Sequence, residues 1–470
     1  MKNLSIILLV AALSFGTVAS AQEMTVQEMT VQETTAPETP LPELPEGLED
    51  LFSDEPLAET PEEPARRGGG LPFDLSGFAE GRFGLRLQDD PLQKDISLGE
   101  ARLQLDAEKS WEGFTLNLVS DFILDPVADD YDIDLERGRG AVDLREANLV
   151  FSPLDFVDVK LGRQILTWGT GDLVFINDLF PKDWNSFFIG RDTEYLKAPS
   201  DALKVSLFFD AFNVNVVYTP RFDADRFIDG HRVSFFDAMR GGTRGREAPL
   251  RDLRPDDWFS DDELAVRLYR SFGAYETALY FYSGYWKSPG GLDPVSGAAL
   301  FPRLDVYGAS MRGPVGAGIG AVELGYYDSA DGAASNPLIN NSEFRFLVSY
   351  EQEIGTEFTA AIQYYLERKL DYDAYLASLP AGLRAEDENR HLITLRLTKL
   401  LMNQDLTLSL FNFYSPSDED GYLRLNVSYK LRDNLRVEAG GNLFYGRFPD
   451  SFFGQFEDAS NLYTGLRYEF

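Results

Sequence analysis

The sequence predicts an all-β fold, a closed antiparallel transmembrane β-barrel of about 18 strands with a disordered N-terminal arm. Sixteen strands also fit the pattern. Short segments alternate apolar and polar residues from about Ser76 to Phe470, as in Gly421-Tyr-Leu-Arg-Leu-Asn-Val-Ser-Tyr-Lys430. The connections between them alternate between tight and long. The chain opens with a secretion signal, and no other segment approaches a membrane helix. Successive side chains of a strand face opposite ways, so each segment has one apolar and one polar face. A soluble sandwich shares that pattern. Short turns at one end and long loops at the other belong to a membrane barrel.

The domains follow from composition. Residues 1–21 read as a signal peptide: Lys2, an apolar core from Leu4 to Val18, and the small residues Ala19-Ser20-Ala21 before Gln22. Residues 22–70 form an acidic, Pro- and Glu-rich arm with a tandem Met-Thr-Val-Gln-Glu repeat and only Arg66 and Arg67 as bases. Such a chain buries too little apolar surface to offset its ordering entropy, and it reads as a disordered periplasmic arm. Residues 71–470 are the barrel. The chain has no cysteine, so disulfides, thiolate metal sites and a lipidated cysteine are excluded. A net charge of −34 argues against a nucleic-acid partner. It does not argue against a membrane, where only lipid-facing side chains must be apolar.

The strand segments begin at Ser76–Gln88 and end at Ser460–Phe470. Tight connections at 109–112, 153–156, 211–212, 273–274, 313–315, 354–355, 402–404 and 433–434 follow the even strands, and long ones follow the odd strands. This arrangement places both barrel termini at the periplasmic end. The upward strands end in aromatics: Trp168, Tyr218, Tyr285-Trp286, Tyr326-Tyr327, Tyr364-Tyr365, Phe413-Tyr414 and Phe444-Tyr445. Recurrence at one height suggests an interfacial girdle, although strand propensity for aromatics competes as an explanation.

Parity also assigns the lumen. It receives Arg82, Arg86, Arg102, Lys160, Lys204, Arg267, Arg345, Arg396, Arg424, Lys430, Arg436 and Arg467, with Glu80, Asp106, Asp121, Asp158, Asp305, Glu323, Glu351, Glu438 and Glu469. These charges either pair across strands or leave an unpaired basic ladder that guides anions. Register and shear decide between the two.

Gly169 to Pro199 is the candidate functional segment. It carries Val174, Phe175, Ile176, Leu179, Phe180, Trp184, Phe187, Phe188 and Ile189, too much apolar surface for a loop in water. We expect residues 169–200 to fold inward and narrow a pore, with Asp172, Asp178, Lys182, Asp183, Arg191 and Asp192 along the path. Packing under other loops as an outer cap is the alternative.

The stretch Leu161-Gly-Arg-Gln-Ile-Leu-Thr-Trp-Gly169, followed by Phe175-Ile-Asn-Asp-Leu-Phe-Pro-Lys-Asp183, resembles a pattern of uncharacterised proteobacterial outer-membrane barrels. In general plan those barrels are similar to alginate-export and phosphate-selective porins. The resemblance implies a channel-like barrel in which Arg163, Gln164 and Trp168 are motif residues, with no ligand role carried over. Simple parity would turn Arg163 to lipid beside Leu161 and Ile165, and a bulge at Gly162 turning it inward is the expectation. The last strand ends Leu462, Thr464, Leu466, Tyr468, Phe470 on one face, which resembles the insertion signal of outer-membrane barrels.

The remaining signals are weaker. Asp130, Asp132, Asp134 and Glu136 alternate in an outer loop, where a solvated acidic loop is a better reading than a calcium site. Arg240, Arg244 and Arg246 could hold lipopolysaccharide phosphates, with a mobile, charge-mixed loop as the equal alternative. Only His231 and His391 are present, and nothing local completes a hydrolase triad, so no enzyme activity and no cofactor are expected. The resulting expectation is an outer-membrane channel for a small or linear solute. The alternative is an export component or surface scaffold docking a periplasmic or inner-membrane transport partner through the arm. Expected partners are outer-membrane lipid, lipopolysaccharide and the barrel-insertion machinery. Deleting Phe470 should reduce the heat-modifiable barrel recovered in membrane fractions; an unchanged yield would count against the insertion signal.

Overall fold

A computed structural model describes residues 72–128, 131–380 and 383–470. The signal peptide and the acidic arm lie outside the described residues. Eighteen strands pair antiparallel in chain order, and the last pairs with the first. They are β1 (Asp74–Arg86), β2 (Ile96–Trp111), β3 (Phe114–Leu124), β4 (Val142–Leu154), β5 (Val157–Ile165) and β6 (Pro199–Phe208). Next come β7 (Asn213–Thr219), β8 (Glu263–Phe272), β9 (Tyr275–Tyr285), β10 (Arg303–Val315), β11 (Gly318–Ser329) and β12 (Glu343–Gly355). The last six are β13 (Phe358–Lys369), β14 (Asn389–Leu401), β15 (Leu406–Ser415), β16 (Asp420–Arg432), β17 (Leu435–Gly446) and β18 (Asn461–Glu469). Closure satisfies every ladder and leaves no sheet edge, the condition for β-structure in lipid.

The short connections sit at one end, with the start of β1 and the end of β18. Three of their tight turns use glycine at positive φ, Gly113 at 89°, Gly273 at 62° and Gly316 at 62°. The opposite end carries the long loops. One departure from strict alternation is the β15–β16 connection, residues 416–419, which is as tight as those at the other end.

The two faces of the wall separate cleanly. Along β11, Val322 and Leu324 are exposed while Glu323 between them is buried. Leu103, Leu116, Leu279, Ile362, Leu395 and Leu466 continue the outward apolar surface around the barrel. A continuous apolar wall of this extent is stable only against lipid. The paired aromatics at the loop-side ends divide between the faces. Tyr326, Tyr414 and Tyr445 are exposed, whereas their neighbours Tyr327, Phe413 and Phe444 are buried inside. Trp168 and Trp286 are also buried, and β5 ends at Ile165, so neither tryptophan belongs to an outer girdle. Only half of the expected girdle faces lipid; the other half packs on material inside the barrel. Leu279→Arg, near the middle of β9, should cost about 2–4 kcal/mol in reversible unfolding from lipid, and a cost below about 0.5 kcal/mol would show that this face does not meet hydrocarbon.

Candidate functional site

Residues 166–198, between β5 and β6, run inside the barrel. Polar backbone taken away from water needs partners, and the inward side chains of the wall supply them. Glu323 on β11 accepts from the Thr170 backbone N–H at 2.7 Å, the Thr170 hydroxyl at 2.9 Å, and both the backbone and side-chain nitrogens of Asn177 at 2.8 and 2.9 Å. Gln363 on β13 accepts from the Asp172 N–H at 2.8 Å and donates to the Asp172 carbonyl at 2.7 Å. Arg396 on β14 pairs with the Asp172 carboxylate. Arg424 on β16 donates to the Phe187 and Arg191 carbonyls. Asn442 on β17 and Asn461 on β18 both reach the Phe188 carbonyl. Arg82 on β1 donates to the Gly190 carbonyl at 3.0 Å.

The wall also leaves room for the loop. A Cβ built on Gly308 would lie 1.6 Å from Asn177 Oδ1, and one on Gly325 would lie 2.7 Å from Ile176 Cγ2. Larger residues at either position would push the segment off the wall. Its apolar side chains then meet the inward aromatics. Trp168 packs edge-on to Phe180 at 4.9 Å, and Phe188 packs on Phe444 at 4.9 Å and on Phe456 at 5.0 Å. Ile176, Phe187, Ile189 and Leu196 are almost wholly buried in the same cluster. The outer half of the lumen is therefore packed like a protein core, with inward residues of β2 and of β6 to β17 in one cluster.

The short helix α1 (Trp184–Ile189) turns the chain. Asp183 caps it by accepting from the Ser186 N–H at 2.7 Å, and Gly190 ends it at φ 95°. Asp178, Lys182 and Asp183 are all buried. Lys182 Nζ donates to Asp178 at 2.8 Å, Thr167 donates to the same carboxylate at 2.7 Å, and Arg226 contacts Asp183 at 3.4 Å. These three side chains are engaged within the loops. Asp172, Arg191 and Asp192 reach the wall instead. Arg191 pairs with Glu100 at 2.6 Å, and Asp192 lies 3.6 Å from Arg467 and 3.8 Å from Arg82. Burial raises the Asp172 carboxyl above its usual range despite Arg396. Burial also opposes ionisation of Asp192, but Arg467 and Arg82 outweigh it and hold that carboxyl low.

The basic lumen residues are paired, not laddered. Arg82 meets Glu80 at 2.9 Å and Glu438 at 2.5 Å. Arg102 meets Glu100 at 2.7 Å and also Asp121, while Tyr195 lies between the guanidinium groups of Arg102 and Arg145 at 4.1 and 4.8 Å. Lys160 meets Glu146 at 3.0 Å, Arg267 meets Glu276 at 2.8 Å, and Arg345 meets Glu343 at 2.7 Å. Arg436 lies 3.8 Å from Glu469, and Arg86 donates to the Lys94 and Arg232 carbonyls. Same-strand neighbours two residues apart, cross-strand partners and, for Arg86, loop carbonyls engage these groups, so no unpaired ladder runs through these positions. Side chains of Lys160, Glu146, Asp192 and Glu194 remain partly in contact with water inside the barrel.

The motif residues take three different positions. The β4–β5 and β5–β6 ladders pass Gly162 without a register shift, so the expected bulge is absent. Arg163 keeps the outward parity of exposed Leu161. It is buried by pairing with Asp201 at 2.8 Å and donating to the Leu135 carbonyl of an outer loop. Gln164 is the inward residue, fully buried and donating to the Ala202 carbonyl at 2.9 Å. Trp168 lies in the apolar cluster. At the other end, Tyr468 and Phe470 are exposed on the outer face.

Above the inward loop, the 220–262 connection closes over it. Arg226 forms a two-point pair with Asp143 on β4 at 2.7 and 2.8 Å, and Asp225 accepts from the Lys182 N–H and Trp184 Nε1. Glu136, Asp201 and Asp223 bring three carboxylates close together where this loop meets β6. Arg163 and Arg221 pair with Asp201 and Glu136 and supply the opposing charge.

No protein-family model matches the chain, and no curated protein does. Solved structures of other barrels are similar. OccK11 (OpdR) of Pseudomonas aeruginosa shares 11% identity over 84% of this chain and 95% of that chain, with a TM-score of 0.49. OmpF of Salmonella typhi, in complex with daunomycin, shares 10% over 85% and 97%, at 0.43. A loop L8 deletion mutant of OmpT, an outer membrane protein of Vibrio cholerae, shares 13% over 85% and 100%, at 0.40. At these scores the fold assignment rests on the strand pairing of this chain itself.

Burial lifts the Asp223 carboxyl to about 7, with Ser200 and Lys287 pulling down and Glu263 pushing up. A carboxyl raised in the folded state binds its proton more tightly there than in the unfolded chain. Stability from this group is present below the ordinary carboxylate range and is lost as pH rises towards 7. Between pH 4 and 8 the wild-type melting temperature should therefore fall relative to that of Asp223→Asn; parallel profiles would remove Asp223 from the account.

Proposed function

We propose that the protein is an outer-membrane channel that passes a small polar solute around the inward segment 166–198. The apolar outer wall supports residence in a bilayer. The β-barrel form and the leader-like N-terminus support the outer membrane of a Gram-negative cell, with the short turns and the arm in the periplasm. The observation that carries the channel reading is that charged side chains keep contact with water inside the barrel although the segment and its aromatic contacts fill much of it. Lys160 and Glu146 on the wall, and Asp192 and Glu194 of the segment itself, remain partly accessible.

A barrel built only as an anchor gains nothing from wet, charged side chains at its centre, since buried charges need costly pairing. In this reading the constriction is set by Asp172 with Arg396, Arg191 with Glu100, and Asp192 with Arg467 and Arg82. Opposite charges facing each other leave a narrow path with a transverse field, which selects for polar solutes over apolar ones of equal size. Transport needs no cofactor. In planar bilayers the wild-type barrel should show small, steady conductance, and removal of residues 169–199 should raise it severalfold. Absence of current from both proteins would contradict the channel reading, and equal current would show that the segment does not border the path.

A further inference from the structure

The outer loop 220–262 returns to the wall through Trp258, Phe259, Ser260, Asp261 and Asp262, and outward side chains of the wall grip that stretch. Tyr218 of β7 stands opposite Leu264 of β8, an exposed residue of the apolar face, and directly opposed residues share a face. The Tyr218 hydroxyl donates to Asp262 at 3.0 Å. Arg303 of β10 has the outward parity of exposed Tyr307. It donates to the Ser260 carbonyl at 2.9 Å and covers the Tyr285 ring at 4.1 Å, while the Tyr285 hydroxyl donates to Asp261 at 2.6 Å. The Phe259 N–H donates at 2.7 Å to the carbonyl of Pro220, the residue that follows β7. The stretch therefore runs along the outside of the barrel at the height of the strand ends.

Its two aromatic rings are exposed. Phe259 is 70% accessible and Trp258 55%, with ring centroids 6.0 Å apart. The Arg221 guanidinium lies over the Trp258 ring at 5.2 Å, so the indole is held in place. Phe259 adopts φ 62°, in the left-handed region, which a bulky side chain enters at a cost. Glycine would make the same turn without that cost, so the turn alone does not account for a phenylalanine. From the foot of this stretch, Leu264 and Leu268 carry exposed apolar surface on along β8. The two rings are thus continuous with the lipid-facing wall.

We propose that Trp258 and Phe259 insert into the membrane at the boundary between acyl chains and headgroups, as an anchor carried by a loop and not by a strand end. Amphipathic rings favour that depth. The surrounding charge selects the part of the lipid they meet. Asp256 and Asp257 precede the rings and Asp261 and Asp262 follow them, while Arg221 and Arg303 are held by Asp256, Glu136 and the 260–262 segment. Carboxylates outnumber guanidinium groups here, so the partner is the neutral acyl boundary and not a phosphate. The anchor ties to the membrane surface the same loop that closes over the inward segment through Asp225 and Arg226.

The chain has no cysteine and five tryptophans, so each ring can be probed separately in the full-length barrel reconstituted in phosphatidylcholine vesicles. Comparison of wild type with Trp258→Phe isolates the emission of Trp258. Lipid brominated near the headgroup should quench that emission severalfold more than lipid brominated near the chain end. A nitroxide carried by Phe259→Cys should be reached by oxygen in preference to a water-soluble nickel chelate. Labelled Leu279→Cys, on the lipid face of β9, is the hydrocarbon reference, and labelled Val295→Cys, 93% exposed in the 286–302 loop, is the water reference. Trp258 emission that neither lipid quenches, or a Phe259→Cys label that behaves as the Val295→Cys label does, would overturn the proposal. Spin–spin broadening at Phe259→Cys that persists on dilution with lipid would assign the rings to a second copy of the chain and overturn it as well. Neither readout involves conduction, so the channel reading can fail while the anchor stands.

Discussion

Peptide groups taken out of water must find hydrogen bonds, and the whole interior of this barrel is organised around that constraint. A closed strand ladder meets it for the wall. A segment threaded through the lumen cannot use the ladder, because the wall's own N–H and C=O groups are already engaged. It depends on inward side chains: Glu323, Gln363, Arg396, Arg424, Asn442, Asn461 and Arg82 each hold loop backbone or the Asp172 carboxylate. These anchors come from strands spread around much of the circumference, so the segment is braced from several sides.

Electrostatics follows from the same arrangement. Charges inside a barrel sit between the high dielectric of the lumen and the low dielectric of the lipid, and they are tolerated when paired. Glu80 meets Arg82 two residues along its own strand and Arg467 across the ladder, and Glu100 meets Arg102 on its own strand and Arg191 of the inward segment. Loop and wall thus share one network, in which Arg191 and Asp192 contribute as loop residues. The outer loops add a second layer through Arg226, Arg139 and Arg232, each bridging separate segments. In the proposed channel the passage would be narrow and polar, its shape held by these charge pairs.

The barrel was legible in the sequence because its signal has period two, repeated in every strand and punctuated at the even turns. Leu423, Leu425 and Val427 against Arg424 and Asn426 show both faces at once. Register was not legible. Nothing local in Arg467 or Arg396 indicates that one meets Glu80 and the other a loop carboxylate. Arg163 shows the same limit. Its outward parity could be read, but the cover supplied by a distant loop at Leu135 and by Asp201 could not, so a bulge was invoked that the ladders do not contain. The uncharged anchors Gln363, Asn442 and Asn461 carry no charge to draw notice, and the paired aromatics concealed two roles under one pattern. A glycine at an inward position facing a loop rich in apolar residues, as at Gly308 and Gly325, is the sequence signal that would have found the contact.

The central claim is that segment 166–198 lies against the inner wall, and the absence of native cysteine makes a direct measurement possible. Gly308 on β10 lies against the side chain of Asn177, close enough that a Cβ there would overlap it. Disulfides need Cβ atoms roughly 3.5–4.5 Å apart. Asn177→Cys combined with Gly308→Cys, expressed into an oxidising periplasm, should therefore yield a cross-linked barrel, read as one disulfide-bonded peptide pair by mass spectrometry. Recovery of the folded barrel with both thiols free would contradict the account.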